Sequence, residues 1–172
     1  DDQKDVFILS GAEDLIPVDK PADGVVRYRP RTEGLFAKID RYLNTNDDYW
    51  KVKSKDGLIS WYGTPGMKEN DPAALCDPDN PRKVFGWKLS KTQDPFGNVI
   101  EYIYERDAVR KDRYHKWEQV YLKEIRYVDY TNQQNQLKFL TKAVFNYEER
   151  PDPFSEYKSG FEIRTVRRCR DI

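Results

Sequence analysis

The sequence has few of the residues on which several kinds of site depend. It contains two cysteines, Cys76 and Cys169, one histidine, His115, and one methionine in 172 residues. Two cysteines permit one disulfide at most, and their low density favours two unpaired thiols. A lone histidine in a run of Arg, Lys and Asp is more typical of a solvated side chain than of a general base. We therefore expect neither a zinc site nor a histidine-based catalytic centre.

Long apolar runs and long blocks of one charge are also missing. No run approaches the roughly 20 residues of a membrane helix, and no signal-peptide pattern is present. Thirty basic and thirty acidic side chains cancel, which removes the electrostatic footprint of a nucleic-acid binder. The sequence predicts neither nucleic-acid binding nor direct membrane insertion by this segment.

Short catalytic motifs are absent as well. The nucleophile elbow, the phosphate loop, the dinucleotide fingerprint and the H-E-x-x-H zinc motif do not occur. Glu101 and Glu105 lie on one face of a predicted strand, so a carboxylate-based hydrolase remains an alternative. Ion pairs with Lys91 and Arg106 across the sheet are the favoured interpretation. We predict no catalytic, cofactor-binding or metal-binding residue.

Two acidic clusters contain oxygen atoms that could coordinate calcium. They are NTNDD, residues 44–48, and DPDN, residues 77–80. Neither has the spacing of an EF-hand loop. Asn and Asp also stabilise tight bends through contacts with their own backbone, and that role is the favoured interpretation.

Aromatic residues supply much of the apolar area. They make up 14% of the chain, whereas all hydrophobic residues reach only 38%, a balance typical of strands. Strand-like runs separated by turn clusters recur without βαβ alternation. The sequence predicts an all-β fold of antiparallel hairpins and meanders, with about ten strands and at most one or two short helices. The segments 19–24 and 64–82 are predicted as loops, 34–43 as a strand, and 106–119 as a loop or one helical piece.

The clearest local turn lies in YWKVKSKDGLISWYG, residues 49–63. Asp56 and Gly57 suit the positive φ values of a two-residue type I′ turn. That turn places Val52 opposite Trp61, so aromatic and aliphatic side chains gather on one face.

A second strong turn lies in KLSKTQDPFGNVIEYIYE, residues 88–105. Asp94 can accept hydrogen bonds from the turn backbone, and Pro95 presets φ at the first corner. Gly97 suits the left-handed position of a bulged turn, with Asn98 opposite Asp94.

Neither strand of this second hairpin offers a wholly apolar face. With Asp94 opposite Asn98, Lys91 lies opposite Glu101, whereas a register slipped by one residue places Leu89 opposite Tyr102. Both registers mix polar and apolar side chains on each face. A sheet with solvent or another polar surface on each side is one arrangement that tolerates this pattern.

The hairpin carries a resemblance to a known family. A strand, then D-P-x-G-N, then a strand ending in Y-x-Y resembles the unit of Rhs/YD-repeat proteins, whose strands spiral into a hollow β-shell. The D-x-x-G-R-L that normally follows is replaced here by YERDAVRKD. Six ordered segments, spanning essentially the whole chain, resemble the N-terminal region of SpvB/TcaC-type proteins, the B components of bacterial toxin complexes. They are DVFILSGAEDLIPV, YRPRTEGLFAKIDRY, YWKVKSKDG, PRKVFGWKLSKTQDPFGNVIEYIYE, YLKEIRY and ERPDPFSEYKSGFEIRTVRRCR.

This resemblance implies that residues 1–172 are a single β-rich fragment of a larger SpvB/TcB-type shell protein. The start at Asp1 rather than Met agrees with an excised piece. The implied role is non-enzymatic: part of a secreted toxin whose shell encloses a cytotoxic effector and helps to deliver it. The implied partners are the rest of the B component, the C component with its effector, and the A pore component. Activities such as actin ADP-ribosyl transfer lie in other regions of the family, and the E-x-E of such a transferase is absent here.

The four tryptophans keep a second hypothesis open. Trp50, Trp61, Trp87 and Trp117 are of the type that forms sugar platforms and protein interfaces. A stand-alone carbohydrate- or protein-binding β-sheet module would expose them. Placement in a core or half-buried on a sheet is the commoner role of such residues.

Overall fold

A computed structural model of the chain describes residues 5–9, 14–32, 34, 36–110, 114 and 116–172. Within these residues the fold is all-β, with sixteen strands and no helix. The predicted fold class is confirmed, although the strands are more numerous than predicted because short pairs occupy segments predicted as loops. The strands are β1 (Phe7–Ile8), β2 (Asp14–Ala22), β3 (Val25–Pro30), β4 (Lys38–Leu43), β5 (Asp48–Lys53), β6 (Ile59–Tyr62), β7 (Ala74–Asp77), β8 (Asn80–Trp87), β9 (Leu89–Gln93), β10 (Val99–Arg106), β11 (Val109–Arg110), β12 (Lys116–Trp117), β13 (Val120–Thr131), β14 (Leu137–Val144), β15 (Asn146–Glu156) and β16 (Ile163–Asp171).

Ten of these strands form one sheet, in the order β1-β2-β3-β4-β5-β6-β9-β10-β13-β14. Its neighbouring strands all pair antiparallel. The remaining strands form three two-stranded sheets, β7 with β8, β11 with β12 and β15 with β16. The predicted hairpins and meanders therefore build one wide sheet with small pairs attached to it.

Two segments have bounds that differ from their predictions. Residues 19–22 extend β2, whose Ala22 pairs with Val25, so the turn is confined to Asp23 and Gly24, which has φ 69°. Register shifts in β2 accommodate its prolines. Proline has no backbone N–H to donate, and a β-bulge leaves one residue out of the hydrogen-bond ladder. The predicted strand over 34–43 begins only at Lys38.

The segments 64–82 and 106–119 also contain strands. β7 lies within the first, where its Ala74 pairs with Trp87 of β8. β11 and β12 lie in the second, and no helix is present among its described residues. The partner of β7 is β8, which begins at Asn80 and extends beyond the first segment, whereas β11 and β12 pair with each other inside the second. His115 lies outside the described residues.

Three tight hairpin turns share one geometry. In each, the first backbone N–H of a five-residue segment donates to the last carbonyl, and the fourth N–H donates back to the first carbonyl. The segments are 54–58, 94–98 and 132–136, with φ of 90° at Gly57, 94° at Gly97 and 58° at Asn135. This is the three-residue loop with a left-handed residue that forms a G1 bulge.

The two-residue turn predicted at Asp56 and Gly57 is therefore wrong. Of the two, only Gly57 has positive φ, and Val52 faces Ser60 instead of Trp61. The longer loop lets the Asp56 carboxylate accept hydrogen bonds from the Ser54 hydroxyl and from the Leu58 N–H. These side-chain contacts accompany a register that is shifted by one residue from that of the two-residue turn.

At residues 94–98 the turn has the expected bulged form. Asp94 Oδ1 accepts from the N–H groups of Phe96 and Asn98, both at 2.9 Å, and Asn98 Nδ2 donates to Asp94 Oδ2 at 2.6 Å. The hydrogen bond from the Asn98 side chain lowers the pKa of Asp94. Lys91 lies opposite Glu101, as in the first of the two registers that the sequence allows.

The ten-stranded sheet has two contrasting ends. Because neighbouring strands are antiparallel, the turns after β5, β9 and β13 lie at one end, which we call the turn end. The long connections 63–88 and 107–119 lie at the other, which we call the excursion end. A Cβ at Gly57 would lie 2.9 Å from Pro95 Cγ, which shows that adjacent turns touch at the turn end. At the excursion end Lys116 Nζ bonds to Asp79 at 2.9 Å and so ties the two connections together.

The core consists of two clusters. The first lies on one face of strands β2 to β6 and contains Leu15, Tyr28, Ile39 and Trp50. The second, at the excursion end, joins Leu75, Val120 and Ile163 of three different sheets. Strand β10 has only Val99 buried and its other residues half-buried, in agreement with a hairpin of two mixed faces.

Candidate functional site

The face of the sheet opposite the first core cluster carries a continuous row of polar side chains. Directly paired residues share a face of a sheet, so the registers of nine strands can be followed from one to the next. The row is Asp19, Arg27, Asp40, Lys51, Trp61, Lys91, Glu101, Arg126 and Lys142. We call this the polar face.

Both flanks of the row are neutralised by ion pairs. Arg27 Nε donates to Asp40 Oδ1 at 2.8 Å, and this hydrogen bond raises the pKa of the arginine. On the other flank Arg126 lies 3.9 Å from Glu101 and 2.6 Å from Glu124. Opposite charges on adjacent strands favour this register.

The centre of the row is different, because Trp61 lies between two lysines. Lys51 Nζ is 5.3 Å from the centroid of the Trp61 ring, and Lys91 Nζ is 5.1 Å from it. One cation comes from the strand on each side of β6. These are cation–π contacts, worth about 0.5–1 kcal/mol each at an exposed site. Lys91, although paired in register with Glu101, directs its ammonium to the ring.

Glu101 and Glu105 are ion-paired, as the favoured interpretation predicted, but with other partners. Glu101 contacts Arg126, whereas Glu105 contacts Arg167 at 3.0 Å and Lys123 at 3.7 Å. The hydrogen bond from Arg167 lowers the pKa of Glu105. A general acid requires a raised pKa, so the geometry gives no support to a carboxylate-based hydrolase.

Arg106, the other predicted partner, instead forms a buried pair that the sequence did not reveal. Its Nε lies 2.6 Å from Glu118, whose side chain is fully buried. Its Nη2 lies 3.1 Å from Cys76 Sγ. Burial raises the pKa of the Cys76 thiol despite the nearby arginine. Cys76 and Cys169 are both free, as predicted, with the first buried and the second exposed.

The sequence also did not predict a second buried pair, Arg41 with Asp48. Two hydrogen bonds of 3.1 and 3.3 Å join them, and both side chains are at most 8% exposed. The guanidinium lies 4.7 Å from the centroid of the Phe7 ring and 5.2 Å from that of Trp87. Trp87 Nε1 donates to the carbonyl of Asp48 at 2.7 Å. Aromatic side chains thus enclose a paired charge beside the first core cluster.

The tryptophans are mostly structural, in agreement with the commoner role. Trp50 and Trp117 are buried, and Trp87 packs against the first core cluster. Trp61 alone of the four lies half-buried in the row of the polar face. A platform of several exposed tryptophans is not formed.

The acidic clusters make turn contacts. Asn44 Oδ1 accepts from the N–H groups of Asn46 and Asp47, at 2.8 and 2.9 Å, and Asp77 Oδ1 accepts from Asp79 N–H at 2.9 Å. Among the described residues no group of three His, Cys, Asp or Glu side chains is arranged to hold a metal ion. That part of the chain also contains no helix long and apolar enough to cross a membrane.

The sequence matches one family over its full length. The model of the SpvB family, described as Salmonella virulence plasmid 65kDa B protein, matches residues 1–172. Relatives called Mono(ADP-ribosyl)transferase SpvB, from Salmonella typhimurium and Salmonella choleraesuis, are each 26% identical over 195 residues, which covers 86% of this chain and 30% of the relative. The chain thus spans about 30% of the length of these curated relatives.

Solved structures share the fold. The N-terminal domain of effector protein SpvB from Salmonella typhimurium strain LT2 has a TM-score of 0.80 at 23% identity, over 97% of this chain and 68% of that chain. TcdB2-TccC3-Cdc42 has a TM-score of 0.78 at 23% identity, over 98% of this chain and 10% of that chain. The Photorhabdus luminescens Tc holotoxin pore has a TM-score of 0.80 at 22% identity, with the same two shares. The resemblance found in the sequence is confirmed: the chain belongs to the SpvB family and has the fold of an SpvB/TcB-type N-terminal region.

Proposed function

We propose that this chain is a non-enzymatic structural segment of a toxin-complex B component. In this role it contributes strands to a hollow shell that encloses a cytotoxic effector and helps to deliver it. The observation that carries the proposal is the wide antiparallel sheet with one polar face, in a fold shared with chains of Tc toxin assemblies. A sheet wall of this kind needs no catalytic group.

The proposed partners follow from the similar assemblies. TccC3 accompanies TcdB2 in solved structures of this fold, and another is a Tc holotoxin pore. We infer that the rest of the B component, a C component with its effector and an A pore component are the partners here. The corresponding location is outside the producing bacterium, as a secreted toxin.

The non-enzymatic part of the proposal is supported by the paired carboxylates. Glu101 and Glu105 contact arginines, and the pKa of Glu105 is lowered. The curated relatives are named as ADP-ribosyltransferases, but the chain spans 30% of their length, and a similar solved structure is the N-terminal domain of SpvB. We expect no NAD-dependent modification of actin by the isolated chain. Measurable turnover in that assay would contradict this part of the proposal.

Strand β14 provides the structural test, because it is the last strand of the ten-stranded sheet. Leu140 is 70% exposed there and Leu137 is 41% exposed. An unpaired edge with exposed apolar side chains tends to pair with another strand. In a shell the next strand would cover it, and in the isolated chain a second copy would do so.

Light scattering coupled to size exclusion measures this tendency over a concentration series. We expect the mean mass of the chain to rise with concentration, and Leu140→Lys to reduce the rise because a charged edge opposes pairing. The matched control is Phe96→Lys, at a residue that is 90% exposed at the turn end, and it should behave as the unmodified chain. A strict monomer at every concentration would count against open shell edges.

The alternative of a carbohydrate-binding module rests on Trp61, the half-buried tryptophan of the polar face. Sugar rings bind by stacking on an open aromatic face. The ammonium groups of Lys51 and Lys91 already contact this ring from both neighbouring strands. Saturable quenching of tryptophan fluorescence by a defined neutral sugar would favour this module over the scaffold.

A further inference from the structure

The polar face contains a group of four lysines, three of which form no ion pair among the described residues. Lys51 and Lys91 flank Trp61, and Lys53 lies two residues along β5 from Lys51. None of these three lysines forms an ion pair with a carboxylate of the described residues. Lys38 lies directly opposite Lys53 and contacts Asp40 at 3.5 Å. We call these four lysines the lysine patch.

This arrangement is unfavourable for the folded chain alone. Like charges directly opposite each other on adjacent strands are destabilising, and Lys38 and Lys53 form such a pair. Elsewhere in the same row the chain places opposite charges side by side, as with Arg27 and Asp40. Asp40 lies opposite Lys51 in register but is 2.8 Å from Arg27, and Glu101 lies opposite Lys91 but contacts Arg126. Positive charge therefore exceeds negative charge at the patch.

We propose that the lysine patch is a docking surface for an acidic polypeptide segment. Carboxylates of such a segment would supply the missing counter-charges, and Trp61 would contact its aliphatic stems. This inference goes beyond the scaffold role and does not depend on it. Its basis is charge complementarity, because three of the four lysines form no ion pair among the described residues.

The spacing of Lys51 and Lys53 along β5 fits the repeat of an extended peptide. Lys51 and Lys53 are two residues apart on one strand, a separation of about 7 Å along β5. Lys51 and Lys91 are on strands two positions apart, which separates them by about 10 Å across the sheet. Carboxylates at alternate positions of an extended peptide repeat at about 7 Å, so a peptide that runs along β5 can place successive acidic side chains at Lys51 and Lys53.

Nucleic acid fits this surface less well than an acidic peptide. Phosphate recognition commonly uses arginine, whose planar fork binds two oxygens at once, and the patch is made of lysine. The whole chain carries no net charge, whereas nucleic-acid-binding domains carry a basic excess. A flat sheet face with a partly covered tryptophan also lacks an open stacking platform for bases.

The test uses the 172-residue chain and a fluorescein-labelled peptide of twelve residues in which Glu and Ser alternate. We expect saturable fluorescence anisotropy in 50 mM salt, and at least tenfold weaker binding in 300 mM salt because exposed charges are screened. The combined variant Lys51→Gln, Lys53→Gln and Lys91→Gln should weaken binding at least tenfold. Trp61→Phe should abolish the accompanying change in tryptophan fluorescence while leaving the anisotropy signal.

The matched control removes the same three charges elsewhere, with Lys20→Gln, Lys138→Gln and Lys158→Gln at exposed positions. It should bind within twofold of the unmodified chain. Lys53→Glu alone serves as a second variant if the triple variant unfolds, and it should also weaken binding. Absence of saturable binding, equal weakening in both triple variants, or tighter binding of a twelve-residue oligothymidylate would each overturn the proposal. The mass measurements on β14 are independent of these outcomes.

Discussion

The turn end and the excursion end belong to the same ten strands, but they are held together in different ways. At the turn end, Asp94 and Asn98 make their contacts within a segment of five residues. At the excursion end, Arg106 and Glu118 pair across 12 positions, and Gln119 reaches Thr165 across 46. One end is stabilised by local side-chain chemistry and the other by contacts that exist only in the assembled fold.

The two ends also differ in whether their polar groups are exposed or buried. The hydrogen bonds between Asp94 and Asn98 at the turn end are exposed, whereas Asp71 at the excursion end is 3% exposed. Water can replace a hydrogen-bond partner that a substitution removes at the turn end, but it cannot easily reach the buried groups of the excursion end. Substitutions at the two ends should therefore have unequal effects on stability.

The largest effect is expected for Arg106→Met at the excursion end. This change removes the cation 2.6 Å from the fully buried Glu118 carboxylate. Breaking a buried pair by removing one partner costs about 3–5 kcal/mol of unfolding free energy, measured by urea denaturation. Arg126→Met on the polar face, where the arginine side chain is 41% exposed, is the control and should cost less than about 1 kcal/mol. Equal losses would show that the buried pair has no special role.

Asp71→Ala should have the next largest effect. Asp71 accepts hydrogen bonds from Thr64 N–H at 2.7 Å and from Ala73 N–H at 2.9 Å. Leaving buried donors unsatisfied should lower the unfolding free energy by about 2 kcal/mol. Asp79→Ala is the control, because its carboxylate is 59% exposed and pairs with Lys116 at the surface, and it should cost less than about 1 kcal/mol. A loss no greater than that of the control would contradict the buried role of Asp71.

The turns that contain Gly57 and Gly97 can be compared with each other by substituting each glycine with alanine. Alanine at Gly57 or Gly97 must adopt positive φ, which costs about 1 kcal/mol. At Gly57 the added Cβ would also lie 2.9 Å from Pro95 Cγ, whereas at Gly97 the nearest atom, Gln93 Nε2, is 3.9 Å away. We expect Gly57→Ala to lower the unfolding free energy by about 2 kcal/mol and Gly97→Ala by about 1 kcal/mol. Gly86→Ala, with open space around the new Cβ, is the control.

The smallest expected effect is the contribution of Glu105 to the pH dependence of folding stability. Because Arg167 lowers its pKa in the folded chain, Glu105 adds stability above its unfolded pKa. That stability is lost as the pH falls through the lower, folded pKa. With the side chain 44% exposed, we expect less than about 1 kcal/mol between pH 7 and pH 3. Arg167→Gln should remove this part of the pH profile, and exposed Lys158→Gln should leave it unchanged.

The sequence predicted the turn end better than the excursion end. The local turn residues after Asp94 narrowed the register to two alternatives, and the one that pairs Lys91 with Glu101 is observed. The register at Gly57 was missed by one residue, because the hydrogen bond from Ser54 to Asp56 favours the longer loop. A local pattern does not reveal which of two compatible turns its side chains stabilise.

The excursion end could not be predicted in the same way. Nothing in the sequence links Cys76 to Arg106, since they meet only when β7 packs beside β10. The strand β7 lies among prolines, and its partner β8 supplies the pairing that local propensity lacks. The polar row was likewise hidden, because it becomes apparent only when the registers of nine strands are combined.

The positions of the three bulged turns also suggest an order of folding. Hairpins closed by loops of three residues form in about 1–10 μs, because little chain entropy is lost on closure. The pairing of β6 with β9 must close the whole connection from residue 63 to 88, and such non-local contacts form more slowly. We expect the three hairpins to form first and the strands between them to join later, so that the buried pair of Arg106 and Glu118 forms only after the hairpins. Refolding of the Arg106→Met chain should then be nearly as fast as that of the unmodified chain, while its unfolding is faster.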